Sequence, residues 1–215
     1  MENITPKKIA LFVGGTIAIL AFMFFTWSMT SKPQIAPKQE ITLSANEHIV
    51  GPPKSKAIIV EYSDFQCPAC KQAYPTVKKI LNTYKNKITF VYRHFPLTQH
   101  AYSVVAAQAA EAAGKQGKFF EMGDLLFENQ ETWADEKNPQ KFYENYAKSL
   151  KLDLTKFKKD SQDSALLKVI KDQQNGGVAL GVNSTPTFFI NGVKLESGAT
   201  YADFSALIDK ALQEK

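Results

Sequence analysis

The feature that most constrains the fold is an apolar run that leads, through a short turn, into two closely spaced cysteines and a helical pattern. Residues 57–62 (AIIVEY) are typical of a short strand buried on both faces. In residues 67–84 apolar side chains recur at helical spacing, with a break predicted at Pro75. Residues 88–92 (ITFVY) form a second strand pattern. This order predicts a βαβ unit with parallel strands and a right-handed crossover.

The rest of the chain separates a helical stretch from a second strand pair. Residues 101–179 lack strand patterning and are rich in Ala, Lys, Glu, Gln and Leu, so we expect a helical insertion of three to five helices over about residues 97–180. Residues 186–195 contain PTFFI, an Asn191-Gly192 turn and a short second strand, which is a hairpin signal. A last helix is expected over about residues 201–213. The sequence therefore predicts an α/β protein with a thioredoxin fold, βαβ followed by ββα, interrupted by the insertion.

The N-terminal region contains a run of 21 residues without a charge, residues 9–29. A helix of this length spans about the 30 Å hydrocarbon core of a bilayer, which predicts a transmembrane anchor. A cleavable signal peptide is the alternative, since Lys7 and Lys8 supply a basic start. The run is longer than a usual signal-peptide core, however, and no A-x-A site follows it. The positive charges on its two sides balance, so the charge rule leaves the orientation open.

These patterns divide the chain into four segments. Residues 1–8 form a tail expected in the cytoplasm, and residues 9–29 form the anchor. Residues 30–45 form an extended linker that contains Pro33 and Pro37. Residues 46–215 form the folded domain, which is large enough for one core.

Charge and cysteine content argue against other classes of protein. The formal net charge of +5, from 26 Lys and Arg against 21 Asp and Glu, is too mild and too scattered for nucleic-acid binding. A bridge between the only two cysteines, Cys67 and Cys70, would close too short a loop to stabilise the fold much. A zinc site needs four ligands, and His48, His94 and His100 are not spaced to complete one. We therefore expect no metal and no other cofactor.

The motif Cys67-Pro68-Ala69-Cys70 stands where the predicted strand ends and the helix begins. With Cys67 at the N-cap and Pro68 at the first helical position, the backbone N–H groups of Ala69 and Cys70 point toward the Cys67 sulfur. These donors and the helix dipole favour the thiolate, so the pKa of Cys67 should fall below that of a free cysteine. Cys70 is expected to keep a more ordinary thiol and to act as the resolving cysteine in dithiol–disulfide exchange.

Two segments carry a family resemblance, residues 58–70 (IIVEYSDFQCPAC) and residues 181–192 (GVNSTPTFFING). From about His48 to its C-terminus, the chain resembles the DsbA-like thiol:disulfide oxidoreductases and is most similar to the membrane-anchored Gram-positive branch typified by BdbD. The resemblance implies an extracytoplasmic domain on a single-pass anchor in the cell membrane. Such a protein introduces disulfides into cysteine-containing exported proteins at Cys67 and Cys70. The resemblance also implies that a membrane quinone-linked thiol oxidase of the DsbB type is the partner that reoxidises it.

The resemblance assigns further residues to the site. Family members carry a cis-proline opposite the CxxC motif, and Thr185-Pro186 matches that element, although base rates alone would favour a trans proline opening a strand. Thr185 and Pro186 are thus expected to take part in catalysis and in substrate binding. Pro68 and Ala69 are expected to be further substrate-binding residues.

Glu61 is the sole charged residue in the first strand pattern, six positions before Cys67. Burial would raise the pKa of its carboxyl, which could then accept and return the proton of Cys70. The family gives that role to the corresponding acidic residue. The alternative is that Glu61 points to solvent from the end of the strand. The most oxidising family members have His between the cysteines where this chain has Ala69, so we expect a less oxidising potential than that of a His-bearing relative.

The leading interpretation is a membrane-tethered thiol oxidase whose domain faces outward, because a chain without cysteines beyond the pair suits an oxidising compartment. A reductase or isomerase would use the same motif, and a redox-inactive, chaperone-like binding module would keep the fold without the exchange. His94 and His100 are expected to be loop or helix-entry residues without a catalytic role. A cluster of apolar side chains is expected to form the core of the insertion: Phe119, Phe120, Leu125, Leu126, Phe127 and Trp133. The alternative is that part of it forms an apolar rim for unfolded substrates.

Overall fold

The structure, a computed structural model, describes residues 15–16, 19–23, 38–44, 47–195 and 197–213. The chain divides into two units, Met1–Ala36 and Pro37–Lys215. In the first unit the described residues are helical. Within the described ranges, no helix reaches the length and hydropathy that a membrane crossing requires. The predicted tail, most of the predicted anchor and the predicted linker up to residue 37 lie outside the described residues.

Within the described residues, five strands make one mixed sheet. They are β1 (His48–Val50), β2 (Ala57–Ser63), β3 (Ile88–His94), β4 (Thr187–Ile190) and β5 (Val193–Lys194). The strand order across the sheet is β1-β3-β2-β4-β5. β2 and β3 run parallel, which confirms the predicted βαβ unit, while β4 pairs antiparallel with β2 and β1 antiparallel with β3.

The predicted strands are present, and the sheet also has one that the sequence analysis did not predict. The hairpin prediction is confirmed, since Asn191 has φ 48° and Gly192 has φ 82°, the two positive angles that its turn requires. The additional strand, β1, is only three residues long. Three residues are too few to show an alternating pattern, so sequence periodicity could not reveal it.

Among the described residues after position 46, eight α-helices accompany the sheet, and a short 3₁₀ helix spans Lys85–Lys87. The α-helices are α1 (Pro68–Tyr84), α2 (Ser103–Gly114), α3 (Phe119–Glu128), α4 (Gln130–Trp133), α5 (Gln140–Ser149), α6 (Leu154–Asp160), α7 (Ser164–Ala179) and α8 (Tyr201–Gln213). The order of elements is that of a thioredoxin fold with a helical insertion, as predicted.

Two details of the helix prediction are wrong. The insertion contains six helices, α2 to α7, rather than three to five, because α4 and α6 are too short to show a helical period in the sequence. α1 also continues through Pro75, where a break was predicted. Val77, Ile80 and Tyr84 bury the apolar face of the helix beyond that point. The free energy gained from this packing exceeds the cost of the backbone hydrogen bond that the proline cannot make.

The side chains of β2 alternate between two cores on opposite faces of the sheet. Ile59 lies in the larger core, which also contains Cys67 and Cys70 of the α1 end. Val60 and Tyr62 lie in the smaller core on the other face. Helix α7 packs closely over this second face at Gly177, where an added Cβ would stand 2.9 Å from the Tyr62 ring. Alternation therefore turns every second residue of β2 toward the face of the sheet whose core contains the two cysteines.

Residues 38–44, which we predicted to belong to an extended linker, pack on the folded domain. The Gln39 backbone N–H donates to the Gly192 carbonyl at 2.7 Å. Ile41 and Leu43 are partly buried against the smaller core. An added Cβ at Gly192 would stand 2.0 Å from the Gln39 carbonyl oxygen, so this close approach requires glycine. The domain therefore includes part of the segment assigned to the linker.

Arg93, near the end of β3, ties the same segment to the sheet. Its guanidinium donates to Glu47 at 2.6 Å and to the Thr42 carbonyl at 2.8 Å. It also donates to the Tyr62 hydroxyl at 2.8 Å. The side chains of Arg93 and Glu47 are 10% and 3% exposed, so this is a buried ion pair with its donors well used.

We expect Arg93→Ala to lower the free energy of unfolding by about 3–5 kcal/mol, because it leaves the buried Glu47 carboxylate without its cation. Urea denaturation of the full-length chain followed by circular dichroism measures the change. Lys168→Ala is the matched control, since Lys168 pairs with Asp172 on the surface, and it should change stability by less than about 0.5 kcal/mol. A loss below about 1 kcal/mol for Arg93→Ala would show that the buried Arg93–Glu47 pair contributes little to stability.

Candidate active site

The cysteine motif begins helix α1 as the sequence predicted. Cys67 is the N-cap residue with an extended backbone (φ −72°, ψ 122°), and Pro68 follows at the start of the helix. The turn before it is fixed by Asp64, whose carbonyl accepts from the Cys67 N–H at 3.0 Å. The Asp64 carboxylate accepts from the Gln66 N–H at 2.8 Å. The Cys67 sulfur is thereby held at the positive end of the helix.

Cys67 has the more acidic of the two thiols. The Cys70 side chain, by hydrogen bonding to the sulfur, is the largest cause that lowers the pKa of Cys67, which falls from 9.0 to about 5. Burial opposes this shift, while the Thr185 side chain and the N–H groups of Cys70 and Ala69 add to it. The predicted direction is confirmed, but the largest contribution comes from the partner thiol rather than from the helix start. At neutral pH Cys67 is therefore mostly thiolate.

Cys70 is the opposite kind of thiol. It is only 1% exposed, and burial raises its pKa well above the ordinary 9.0. The nearby Cys67 and Glu61 side chains raise it further. Cys70 thus stays protonated while its neighbour is ionised, rather than keeping the ordinary thiol that the sequence analysis expected. Both cysteines are free in this structure.

Thr185 and Pro186 lie against Cys67, although 118 positions separate Thr185 from it in the sequence. The Thr185-Pro186 peptide bond is cis, as the family resemblance implied. The Cys67 thiol donates to the Thr185 carbonyl at 3.5 Å. The Thr185 hydroxyl is buried without a hydrogen-bond partner, and it can donate to the sulfur once that is ionised.

Two cavities adjoin the exposed residues between the cysteines. One, of about 430 Å³, is lined in part by Ala69, Thr185, Pro186, Phe188 and Phe204. The other, of about 520 Å³, is lined in part by Pro68, Gln66, His100, Gln130 and Glu131. All four predicted substrate-binding residues therefore line a cavity beside the reactive sulfur.

Glu61 points into the protein, so the alternative in which it faces solvent is wrong. It is 4% exposed, and burial raises the pKa of its carboxyl from 4.5 to about 7. Ser63 opposes this shift. Glu61 lines a cavity of about 360 Å³ whose walls include Phe65, Tyr92 and Phe119. Its charge also acts on the thiol of Cys70, so the structure brings the predicted acid and the resolving cysteine together.

The sequence analysis missed two hydroxyl groups next to these residues. Ser63 and Tyr92 are buried, and neither hydroxyl has a hydrogen-bond partner. The two-residue spacing of Ser63 from Glu61 could have shown that they share one face of β2. Tyr92 stands opposite Glu61 in the parallel pair, which only the strand register reveals.

The helical insertion contributes one contact to the site that sequence could not show. The Gln130 amide donates to the carbonyls of Phe65 and Cys67 at 2.7 and 3.0 Å. Gln130 is 4% exposed and begins helix α4. It holds the backbone that carries the reactive sulfur, with no pattern in the sequence to single it out.

The three histidines pair with carboxylates rather than with the cysteines. His94 ends β3 and is 1% exposed, so its assignment to a loop is wrong. It shares the Glu111 carboxylate with His48, at 3.0 and 2.9 Å. Burial opposes ionisation of Glu111, but these hydrogen bonds outweigh it and lower its pKa to about 2. His100 lies in the loop after β3 and contacts Asp64 at 2.7 Å.

Much of the predicted aromatic core is confirmed, since Phe119, Phe127 and Trp133 are buried in the larger core. Across the described ranges, no group of three or more His, Cys, Asp or Glu side chains is arranged to hold a metal ion.

A thioredoxin fold with an ionised and a protonated cysteine in a CxxC motif defines the class of thiol–disulfide oxidoreductases. The family model described as Thioredoxin matches residues 43–210, and the chain belongs to that family. Among curated proteins, it is 40% identical over 166 residues to the Na(+)/H(+) antiporter NhaA 1 of Salinispora arenicola. This match covers 77% of the chain and 24% of the antiporter, so the chain spans about a quarter of that relative.

Solved structures share the fold over most of the chain. DsbA2 of Pseudomonas aeruginosa is 26% identical with a TM-score of 0.64, covering 81% of this chain and 100% of that one. Oxidised BdbD of Bacillus subtilis is 20% identical with a TM-score of 0.69, covering 85% and 100%. The resemblance to DsbA-like proteins is confirmed, and BdbD has the same fold.

We expect Cys70→Ala to raise the pKa of Cys67 above about 5 toward its ordinary value, because it removes the largest stabilising contact of the thiolate. The Thr185 hydroxyl and the backbone N–H groups remain, so the pKa should stay below 9.0. The ultraviolet absorbance of the thiolate, followed against pH, measures it. Cys70→Ser is the matched control, because its hydroxyl can still donate and should keep the pKa nearer to the wild-type value. Identical titrations for wild type and Cys70→Ala would contradict this account.

Glu61 should make the reduced protein less stable as the pH rises. Because its pKa is raised from 4.5 to about 7, the folded state holds more protons than the unfolded state between those values. The penalty is absent below pH about 4.5 and complete above about 7, where it amounts to about 3 kcal/mol. Cys67 acts in the opposite sense, since its lowered pKa adds stability as the pH rises from about 5 toward 9.0.

The measurement is therefore a difference between two proteins. Urea unfolding of reduced wild type and of Glu61→Gln at several pH values cancels the Cys67 contribution that both share. We expect the wild type to lose stability relative to Glu61→Gln as the pH increases from 4.5 to 8. A difference that stays constant with pH would mean that Glu61 does not titrate in this range.

Proposed function

We propose that this chain is a thiol:disulfide oxidoreductase that introduces disulfides into cysteine-containing exported proteins. The observation that carries the proposal is the unequal state of its two thiols, with the pKa of Cys67 lowered to about 5 and that of Cys70 raised. A stabilised thiolate makes the reduced form more favourable than the disulfide, so the oxidised protein tends to give its disulfide away. This favours the oxidase direction.

The exchange proceeds in two displacement steps. A substrate thiolate attacks the Cys67 sulfur of the Cys67–Cys70 disulfide, the bond between the cysteines breaks, and Cys70 leaves as a thiolate that takes up a proton. A second substrate thiolate then attacks the substrate sulfur of the mixed disulfide, and Cys67 leaves as a thiolate. The substrate loses two electrons and the chain gains them. Cys67 is a good leaving group in the second step because of its low pKa.

The other site residues have distinct roles in this scheme. Cys67 is the sulfur that meets the substrate, since it is 5% exposed and lies next to the exposed Pro68 and Ala69, while Cys70 is 1% exposed. Glu61 supplies the proton for the departing Cys70, for which a pKa of about 7 is well matched to neutral pH. Ala69, Thr185 and Pro186 line the cavity of about 430 Å³ that we assign to the substrate segment next to its cysteine.

The proposal includes a place in the cell. Residues 9–29 anchor the chain in the membrane with the domain on the outer side, and a membrane quinone-linked thiol oxidase of the DsbB type takes up the electrons. Two features support this: the run of 21 uncharged residues and the absence of any cysteine beyond the pair. The need for a two-electron acceptor follows from the exchange chemistry itself.

The test uses bacteria that lack their own exported thiol oxidase and that make the full-length chain. We expect the chain to restore the activity of an exported reporter enzyme that needs one disulfide, and Cys67→Ala to restore none. The redox state of the chain, read by thiol alkylation, should be mainly oxidised. If Cys67→Ala also restored the reporter activity, the proposal would be wrong, and the chain would act as a redox-inactive binding module. A chain held reduced that fails to restore the reporter would favour a reductase or isomerase.

A further inference from the structure

His100, in the loop after β3, is a histidine near the reactive cysteine that the exchange scheme above does not use. Its Nδ1 lies 2.7 Å from a carboxylate oxygen of Asp64. The Asp64 side chain is 0% exposed, whereas that of His100 is 17% exposed. The imidazole therefore stands between a buried carboxylate and an open part of the protein.

The other bonds of Asp64 show which nitrogen of His100 carries a proton. The oxygen that faces His100 also accepts from the Leu97 N–H at 3.0 Å, and the second oxygen accepts from the Gln66 N–H at 2.8 Å. A carboxylate held by backbone donors acts as an acceptor toward Nδ1 as well. From these bonds we assign the proton of the neutral imidazole to Nδ1, which leaves the lone pair on Nε2.

The second ring nitrogen, Nε2, is left for the cavity of about 520 Å³ beside Cys67. His100 lines this cavity together with Gln66 and Pro68, the two neighbours of Cys67 in the sequence. The two nitrogens of an imidazole point away from one another, so with Nδ1 turned to the buried Asp64, Nε2 is turned outward. In the described part of the chain, the bond to Asp64 is the one hydrogen bond of the ring. A substrate group that enters the cavity thus meets an unused lone pair.

The turn before α1 connects this imidazole to the cysteine. The Asp64 carbonyl accepts from the Cys67 N–H at 3.0 Å, so the residue that orients the imidazole also fixes the cysteine backbone. The other charged groups of the cavity wall are Lys71, Glu131 and Asp135. Lys71 pairs with Glu131 at 2.7 Å, so its positive charge is balanced.

We propose that His100, oriented by Asp64, is the general base that takes the proton of the incoming substrate thiol. This inference rests on the proposed function. The thiolate rather than the thiol attacks a disulfide, and a free cysteine is mostly protonated at neutral pH. The substrate S–H bond breaks and an N–H bond forms on Nε2. The substrate sulfur then bonds to Cys67, and the bond between the cysteines breaks with its electron pair on Cys70.

The two ends of the exchange thereby have separate proton carriers. Glu61 lines a different cavity, of about 360 Å³, and serves the departing Cys70. His100 serves the arriving thiol and passes its proton to water, to which its side chain is partly exposed. The other two histidines are not suited to this task, since each uses Nε2 for the Glu111 carboxylate.

Two peptides that differ in one atom separate a base from a structural residue. The full-length chain is oxidised and mixed at neutral pH with an excess of a short peptide that carries one cysteine. A second sample receives the same peptide with selenocysteine in its place. The selenol is already ionised at this pH and needs no base. Acid quenching followed by mass spectrometry measures the rate at which the Cys67–Cys70 disulfide is lost.

We expect His100→Asn to react about tenfold more slowly than wild type with the cysteine peptide, and as fast as wild type with the selenocysteine peptide. Asparagine keeps an N–H donor for the Asp64 carboxylate but has no basic nitrogen. The loss is limited to about thirtyfold, because about one cysteine in thirty is ionised at neutral pH without a base. At about pH 9.5 most of the peptide thiol is ionised, so the two proteins should then react alike.

His48→Asn is the matched control, because His48 also contacts a buried carboxylate, that of Glu111, but lies on β1. It should change neither rate. The reaction with the selenocysteine peptide also shows that each variant is folded and oxidised. Equal slowing of His100→Asn with both peptides would give His100 a structural role and overturn the proposal.

The outcomes distinguish the general base from the proposed function. A wild-type disulfide that survives an excess of both peptides would refute both. If wild type and His100→Asn react with the cysteine peptide within about twofold of each other at neutral pH, the general base alone is refuted, since exchange at Cys67 still occurs.

Discussion

The register of β2 is the constraint on which the site depends. This strand lies between β3 on one side and β4 on the other, with Glu61 opposite Tyr92 and Phe188. A shift of one residue would move Glu61 to the opposite face of the sheet, away from the start of α1. Two neighbouring strands and a core on each face make that shift costly. The chemistry beneath the cysteines thus follows from ordinary strand pairing.

The second requirement is that the two thiols differ, and one geometric fact explains most of the difference. Cys67 is the residue before the helix and Cys70 lies one turn inside it, facing the core. The outer sulfur collects hydrogen-bond donors while the inner one is buried near a carboxyl. Each thiol also strengthens the contrast, since the protonated Cys70 stabilises the thiolate of Cys67. The pair therefore acts as a unit in the exchange.

Sequence was sufficient for the parts of this protein that repeat a period or use a residue with a fixed backbone preference. Apolar runs predicted the strands at residues 57–62 and 88–92. The preference of Asn191-Gly192 for positive φ angles predicted the hairpin. The short elements β1, α4 and α6 were missed or miscounted because three, four and seven residues are too few to establish a period. The predicted break at Pro75 failed because packing on the sheet opposes a local preference.

The same distinction applies to the site. The sequence singles out Cys67 and Cys70 as a CxxC motif at the start of a helix, and Glu61 as a charged residue within an apolar strand. It singles out Thr185 and Pro186 because they match a family motif. Gln130 and Tyr92 come from separate elements and meet the site only through tertiary structure. Residues 38–44 looked like linker because their apolar residues are few, yet Arg93 and Gly192 bind their backbone.

The amide of Gln130 gives the helical insertion a part in the geometry of the sulfurs. Because the Gln130 amide donates to the carbonyls of Phe65 and Cys67, the insertion stabilises the turn before α1 as well as packing beside it. Transplanting the sheet and α1 into another scaffold, or exchanging the insertion for that of a distant homologue, would remove these two hydrogen bonds from the turn unless the new segment brought an equivalent donor. Recombination and design within this fold therefore have to preserve a donor that lies far from the cysteines in sequence.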